Sequence, residues 1–323
     1  MLRIFELACA CRFAALLSGG ALVLLVAPAP AQTPSQDVDR AQFLRNQALI
    51  HGDPYSMENG VDEGHAVESP NNPDIGEQEI LKRVERYQPF TASSSMPFYY
   101  TSNVALAKTG EQSDVLIAPA ASVTYAPRIT STFYGAITAQ QQYFYYDRFS
   151  ELNFGSTDFR AGFTYVLPKL HYLNFRAEYD YNRLTFNSSF NDFFSNHSFF
   201  VSAELPFRFG RAQQLSIGAD ANVSIHAEPE APRRNDFDFY AGYSVNLTRA
   251  LSLNAVGRLF VRNYYDGDRV DVSEVFALSA NFRVNRCFSA SAASTLAWSQ
   301  SNHSVFDYSV ANVGGAVSFS FHF

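Results

Sequence analysis

From Phe98 to the end of the chain, apolar and polar residues alternate with a period of two in one segment after another. In residues 215–225 the odd positions carry Leu, Ile, Ala and Val, and the even positions carry Ser, Gly, Asp and Asn. A period of two is that of a β-strand with one apolar and one polar face. The pattern predicts twelve strands, centred near residues 103, 119, 137, 162, 177, 203, 220, 241, 257, 278, 293 and 315.

Polar connections separate these segments, and short ones alternate with longer ones. The five short connections each hold a basic residue, namely Arg128, Lys169, Arg211, Arg249 and Arg286. The longer ones cover residues 108–114, 147–156, 187–196, 227–235, 264–270 and 299–305. A soluble β-sandwich also alternates along its strands, but its Greek-key connections would not alternate in length. The layout therefore predicts an all-β fold, a 12-stranded antiparallel up-and-down transmembrane β-barrel over residues 98–323.

The final strand is amphipathic and ends the chain on an aromatic residue. Val313, Val317, Phe319, Phe321 and Phe323 share one parity, and Ser, Gly, Ala, Asn and His share the other. This strand resembles the C-terminal signal of bacterial outer-membrane β-barrels. The resemblance implies that the barrel-assembly machinery reads Phe319, Phe321 and Phe323, and that the last strand then pairs with the first. The segments 87–90 and 98–103 resemble a functionally uncharacterised, porin-like group of these barrels, which implies a location and not an activity.

The chain before the barrel divides into two parts. Residues 1–31 have two arginines, an apolar run and an Ala-Pro-Ala sequence, which predicts a secretory signal peptide cleaved after Ala31. Residues 32–97 form a polar lead-in of the periplasmic side, with short helices expected at 37–50 and 77–87. This lead-in is interpreted either as a plug inside the barrel or as a flexible tether. An even number of strands then places both termini in the periplasm.

Composition narrows the class of function. The net charge of −7 over 323 residues offers no basic surface for nucleic acid. Signal cleavage leaves Cys287 as the last cysteine, so no disulfide framework is expected. No cofactor motif is present, and the scattered acidic residues and histidines of the lead-in lack the spacing of a metal site. We therefore expect no cofactor and no metal, and we expect contact with outer-membrane lipid.

The polar parity of the strands predicts a lumen of mixed charge. Such side chains could select small polar or charged solutes in a passive channel, or could pair to fill a closed barrel. The candidates for lining the lumen and setting selectivity are Arg160, Arg176, Glu178, Asp180, Glu204, Arg208, Asp220, His226, Asp238, Arg258, Arg262 and Arg283.

Two alternatives to a channel stay open. Some outer-membrane barrels of this size are lipid hydrolases that use Ser, His and an orienting polar residue, and Asn222, Ser224 and His226 share one parity. The barrel could also be a non-conducting anchor. The favoured interpretation is a channel without enzymatic activity in the Gram-negative outer membrane.

Overall fold

The computed structural model describes residues 34–51 and 88–323, apart from Ser188, Arg211 and Arg249. The expected signal peptide and the second expected helix of the lead-in lie outside the described residues. Within these residues, one α-helix is followed by thirteen strand segments, and every strand is antiparallel to its neighbours. They are α1 (Pro34–His51), β1 (Phe90–Thr101), β2 (Asp114–Ile117), β3 (Ala120–Tyr125), β4 (Phe133–Tyr146), β5 (Phe154–Leu167), β6 (Leu173–Phe186), β7 (Asp192–Phe209), β8 (Gln213–Glu228), β9 (Arg234–Asn246), β10 (Leu251–Tyr264), β11 (Val270–Arg283), β12 (Phe288–Ser301) and β13 (Tyr308–His322).

The sheet closes on itself, which confirms the predicted barrel. The segments β2 and β3 are two halves of one interrupted strand, because both pair with β1 and with β4, and the wall therefore has twelve strands. The seam joins β1 to β13 from Thr91–His322 to Thr101–Asn312. At its end, Phe90 and Phe323 exchange both backbone hydrogen bonds, at 3.1 and 2.9 Å.

The apolar parity of the strands faces outward over the whole wall. On β13, Val313, Val317, Phe319, Phe321 and Phe323 are all exposed, while the alternate residues point into the lumen. β-branched and aromatic residues favour strands, but so many exposed ones are stable only against lipid, where every backbone group must be paired within the sheet. The closed ladder meets that requirement.

The connections differ less in length at the two ends than the sequence suggested. One end, called the turn end, has connections of 3 to 7 residues and holds Phe90 and Phe323; the other, the loop end, has connections of 5 to 12. Strict alternation in length is therefore wrong. The reason is that strands continue into residues assigned to loops: β8 extends to Glu228 and β7 begins at Asp192.

The first strand begins at Phe90, eight residues before the expected start of the barrel at 98. The serines at 93–95 and Pro97 hid it, because they interrupt the apolar alternation. Proline lacks the N–H that a ladder needs and is normally restricted to edges. Here Pro97 lies opposite the break between β2 and β3, which contains Pro119, and its carbonyl still accepts the Ala118 N–H at 2.8 Å.

Helix α1 lies inside the barrel. Pro34 at its first position fits the helix start, and Asp37 and Arg40 form an i,i+3 ion pair at 3.1 Å. Residues 38–45 are buried except for Asp39, which is partly buried, so the wall surrounds the helix on every side. Among the described residues, no helix has the length and apolar character needed to cross a bilayer.

The barrel lumen as the candidate functional site

Eleven of the twelve predicted lumen residues point inward by the parity of their strands. Glu178, Asp238 and Arg262 are buried, with exposures of 2, 0 and 6%. Arg208 and Arg283 are exposed at the turn end of the lumen. The lumen is therefore polar and charged, as the sequence indicated.

His226 is the exception, and its placement in the lumen is wrong. The pairing of β7 with β8 shifts between His197 and Ser198, so that His197 pairs with His226 while Ser198 pairs with Ser224. The extra residue, Ile225, reverses the parity of the strand beyond it. As a result His226 faces outward beside His197, with ring centroids 6.1 Å apart.

The same bulge separates the predicted hydrolase trio. Ser224 is buried in the lumen and its hydroxyl donates to Asn196 Oδ1 at 2.6 Å, whereas His226 is exposed on the outer surface. A hydrolytic serine needs the imidazole within hydrogen-bonding reach. These two side chains lie on opposite faces of the wall, so they do not form a catalytic pair.

The inward charges on β6 to β10 are held in close pairs. Arg176 Nε lies 2.6 Å from Glu178 Oε1. Arg258 Nε donates to Asp238 Oδ2 at 2.7 Å, and its Nη2 lies 3.4 Å from Asp220 Oδ2. Pairing offsets the desolvation of these charges. This wall can present an ordered field of opposite charges to a solute, in contrast to β12 and β13, which present mainly Ser, Ala and Gly to the lumen.

The loop end of the lumen is apolar where α1 sits. Val38, Ala41, Phe43 and Leu44 pack into a buried cluster with wall residues that point inward, namely Tyr99, Leu116, Phe144, Tyr146, Phe154, Leu184, Phe194, Phe260, Val275, Ala297 and Val310. This apolar binding site for α1 was not predicted from the sequence. Its signal was present, because Phe144, Phe154, Leu184 and Phe194 share the parity of the polar residues of their strands.

The first polar contact of α1 is through Asp39. Its carboxylate meets Arg234, lies 2.9 Å from Arg269 Nη2 and accepts the Tyr264 hydroxyl at 2.8 Å. Arg234 also pairs with Asp236, and Arg269 with Asp271. Arg262 lies between these two carboxylates in the sheet, directly opposite Asp236 on β9 and Asp271 on β11. We call these six wall residues the rim cluster, because Arg234, Tyr264 and Arg269 lie where their strands reach the loop end.

The second polar contact is through Arg45. Its Nη2 lies 2.5 Å from Asp158 Oδ1 and 3.0 Å from Asp180 Oδ2. Gln42 Nε2 donates to Asn182 Oδ1 at 2.8 Å, and Arg160 Nε lies 3.6 Å from Asp180. The wall residues Asp158, Arg160, Asp180 and Asn182 form the inner cluster, four to six residues deeper along β5 and β6 than the loop ends of those strands. Helix α1 therefore runs from the loop end inward.

No protein-family model and no curated protein matches the chain. Solved structures do. The COG4313 outer membrane channel from Pseudomonas putida F1 is 10% identical and superposes with a TM-score of 0.50, over 74% of this chain and 98% of that one. The translocator domain of the autotransporter NalP from Neisseria meningitidis is 10% identical with a TM-score of 0.49, over 91% of this chain and 100% of that one. An anion-selective porin from Comamonas acidovorans is 6% identical with a TM-score of 0.37, over 72% and 98%.

The closed wall, its apolar outer surface and the first of these superpositions define the class. The chain has the fold of the bacterial outer-membrane β-barrels, with porin-like architecture. At 10% identity the first of these superpositions shows the fold alone, so the activity has to be argued from the lumen.

Proposed function

We propose that this protein is an outer-membrane channel for small polar or charged solutes, closed in the present conformation by α1. The observation that carries the proposal is the seating of α1. The helix is not part of the sheet, yet it is enclosed at the loop end by side chains from nearly every strand. A separate segment that fills one end of a polar lumen has the properties of a plug.

The remainder of the lumen suits passage of polar solutes. Towards the turn end the wall carries paired Arg, Asp and Glu side chains on one side and small residues on the other, and no described helix enters there. In the proposed orientation the turn end and Phe323 face the periplasm, and the loop end faces outward. Helix α1 then blocks the external half of the channel.

Conductance across a planar bilayer tests the proposal. The full-length protein should open rarely, and a variant that lacks residues 34–51 should give frequent or permanent current steps. The deletion must stop before Phe90, because β1 begins there. Correct folding is checked for both proteins by the difference in gel migration before and after boiling. If both are folded and neither conducts, the channel proposal fails, and a closed structural barrel becomes the better account of the paired charges.

A further inference from the structure

Helix α1 places a negative and a positive side chain in two separate sites of the wall, and each site carries the opposite net charge. The rim cluster holds Arg234, Arg262 and Arg269 against Asp236 and Asp271, which leaves a net charge of +1 before Asp39 is added. The inner cluster holds Asp158 and Asp180 against Arg160, which leaves −1 before Arg45 is added. In each cluster the charged side chain of α1 brings the net charge to zero.

The donors and acceptors at the two sites fit specific chemical groups. In the rim cluster, two guanidinium groups and the Tyr264 hydroxyl converge on one carboxylate, an arrangement of charge-assisted hydrogen bonds that any carboxylate could accept. In the inner cluster, two carboxylates converge on one cationic group, and Asn182 supports them by donating to Asp158 Oδ1 at 2.9 Å. An ammonium group could replace the guanidinium there.

The spacing of the two sites sets the length of a matching solute. Asp39 and Arg45 are six residues apart, which is about 9 Å along a helix axis, and their side chains point about 120° apart around that axis, so 9 Å is the minimum separation of the two sites. An extended peptide covers at most ~3.3–3.6 Å per residue, so the free amine and carboxylate of a tripeptide are separated by roughly 10 Å. A single amino acid is too short to reach both sites.

From these observations we infer that the rim and inner clusters form a binding site for extended zwitterionic solutes, with short peptides of three or more residues as the chemical class, and that α1 occupies this site as an internal mimic. The inference rests on the proposed function, because a solute reaches the clusters only when α1 leaves. It goes beyond that function by naming what the opened lumen selects.

The test uses the full-length chain without the two charges through which α1 contacts the clusters, Asp39→Asn with Arg45→Gln, called the neutral-helix background, which leaves both wall clusters intact. The probes are trialanine with free ends, N-acetyl-trialanine, trialanine amide and single alanine. We expect trialanine to interrupt the channel current at concentrations at least about tenfold lower than either capped peptide or alanine, since each capped end loses a charge-assisted hydrogen bond. Equal block by free and capped trialanine would overturn the inference.

Substitutions in the wall test which cluster binds the carboxylate of the peptide and which binds its amine. In the neutral-helix background, Arg269→Gln should abolish the preference for a free carboxylate and Asp180→Asn the preference for a free amine. Arg183→Gln is the matched control, because Arg183 lies on the same strand as Asp180 but pairs with Asp192 near the outer surface. The inference fails if the control changes the preferences as much as the two wall variants do.

A second measurement keeps the native charges and needs no conductance. Val38 is 1% exposed in the seated helix, so a cysteine at this position reports when the helix leaves. In a chain whose exposed Cys287 is replaced by serine, trialanine should accelerate labelling of Val38→Cys by a thiol reagent, and its capped forms should not. If trialanine accelerates labelling but the protein does not conduct, the peptide-binding site is supported and the channel proposal fails. Conductance without any discrimination between peptides would leave the channel standing and overturn the site.

Discussion

Replacing Arg45 with glutamine should release α1 from its seat far more often than in the native protein. Arg45 places its guanidinium between Asp158 and Asp180, at 2.5 and 3.0 Å, and all three side chains are less than one-tenth exposed. Removing one partner of a buried ion pair leaves uncompensated charge and typically costs about 3–5 kcal/mol. Arg160 remains near Asp180 and compensates part of this loss, so we take the lower figure.

A change of ~3 kcal/mol corresponds to roughly a 100-fold increase in the population of the undocked helix. The rate at which Val38→Cys reacts with a thiol reagent measures this population, provided that docking is fast compared with labelling. Exposed Cys287 is replaced by serine in the background, so that it does not react. The labelling rate should rise by about two powers of ten and should change little with salt, because a buried pair is weakly screened.

The control for this prediction is Arg183→Gln. Its ion pair with Asp192 is about 40% exposed, and such surface pairs contribute little. If Arg45→Gln and Arg183→Gln label at rates within a factor of two of each other, the inner cluster does not hold α1, and the reasoning from buried charge is wrong.

Four further predictions concern the barrel wall and one of its loops. The barrel should migrate differently on a denaturing gel before and after boiling, and identical migration would contradict a closed barrel. Gly314→Ala should destabilise it by about 1–3 kcal/mol in urea unfolding, because an added Cβ would lie 2.1 Å from a backbone carbonyl, while Gly242→Ala, whose nearest contact would be 3.5 Å, should be tolerated. Deleting Phe323 should reduce the folded yield in outer membranes, through loss of the last hydrogen-bonded pair and of the proposed assembly signal; an unchanged yield would refute both reasons. The Lys108 ammonium donates to Asp307 and lowers the pKa of that carboxyl, so this contact stabilises the loop at neutral pH and is lost as the pH falls below about 4. Pepsin cleavage within residues 302–307 of the native protein should therefore increase below this pH. The variant Asp307→Asn lacks the contact at every pH, so its cleavage rate should follow the intrinsic pH profile of pepsin.

The alternation of apolar and polar residues was sufficient to predict the barrel, its strand number and the direction of most side chains. It succeeded because the outer face meets lipid over the whole wall, which forces a strict period of two. The helix at 37–50 was also expected, and it is described at Pro34–His51.

The errors fall where a local feature changes the period. The bulge at Ile225 reverses the direction of His226, and a single inserted residue leaves no distinctive mark in composition. The serines at 93–95 and Pro97 concealed the start of β1, although pairing on both sides compensates for their weak strand preference. The seat of α1 depends on residues from strands far apart in the sequence, so it became visible only in the assembled wall.

The seam between β1 and β13 determines whether the sheet has open edges. It joins eleven residue pairs, against twelve between β12 and β13, so the finished wall has no weak junction there. Without β13, however, β1 and β12 would both present open edges, each a template for pairing with another chain. A chain that lacks β13 would therefore form an open sheet with two long unpaired edges, and not a slightly smaller barrel.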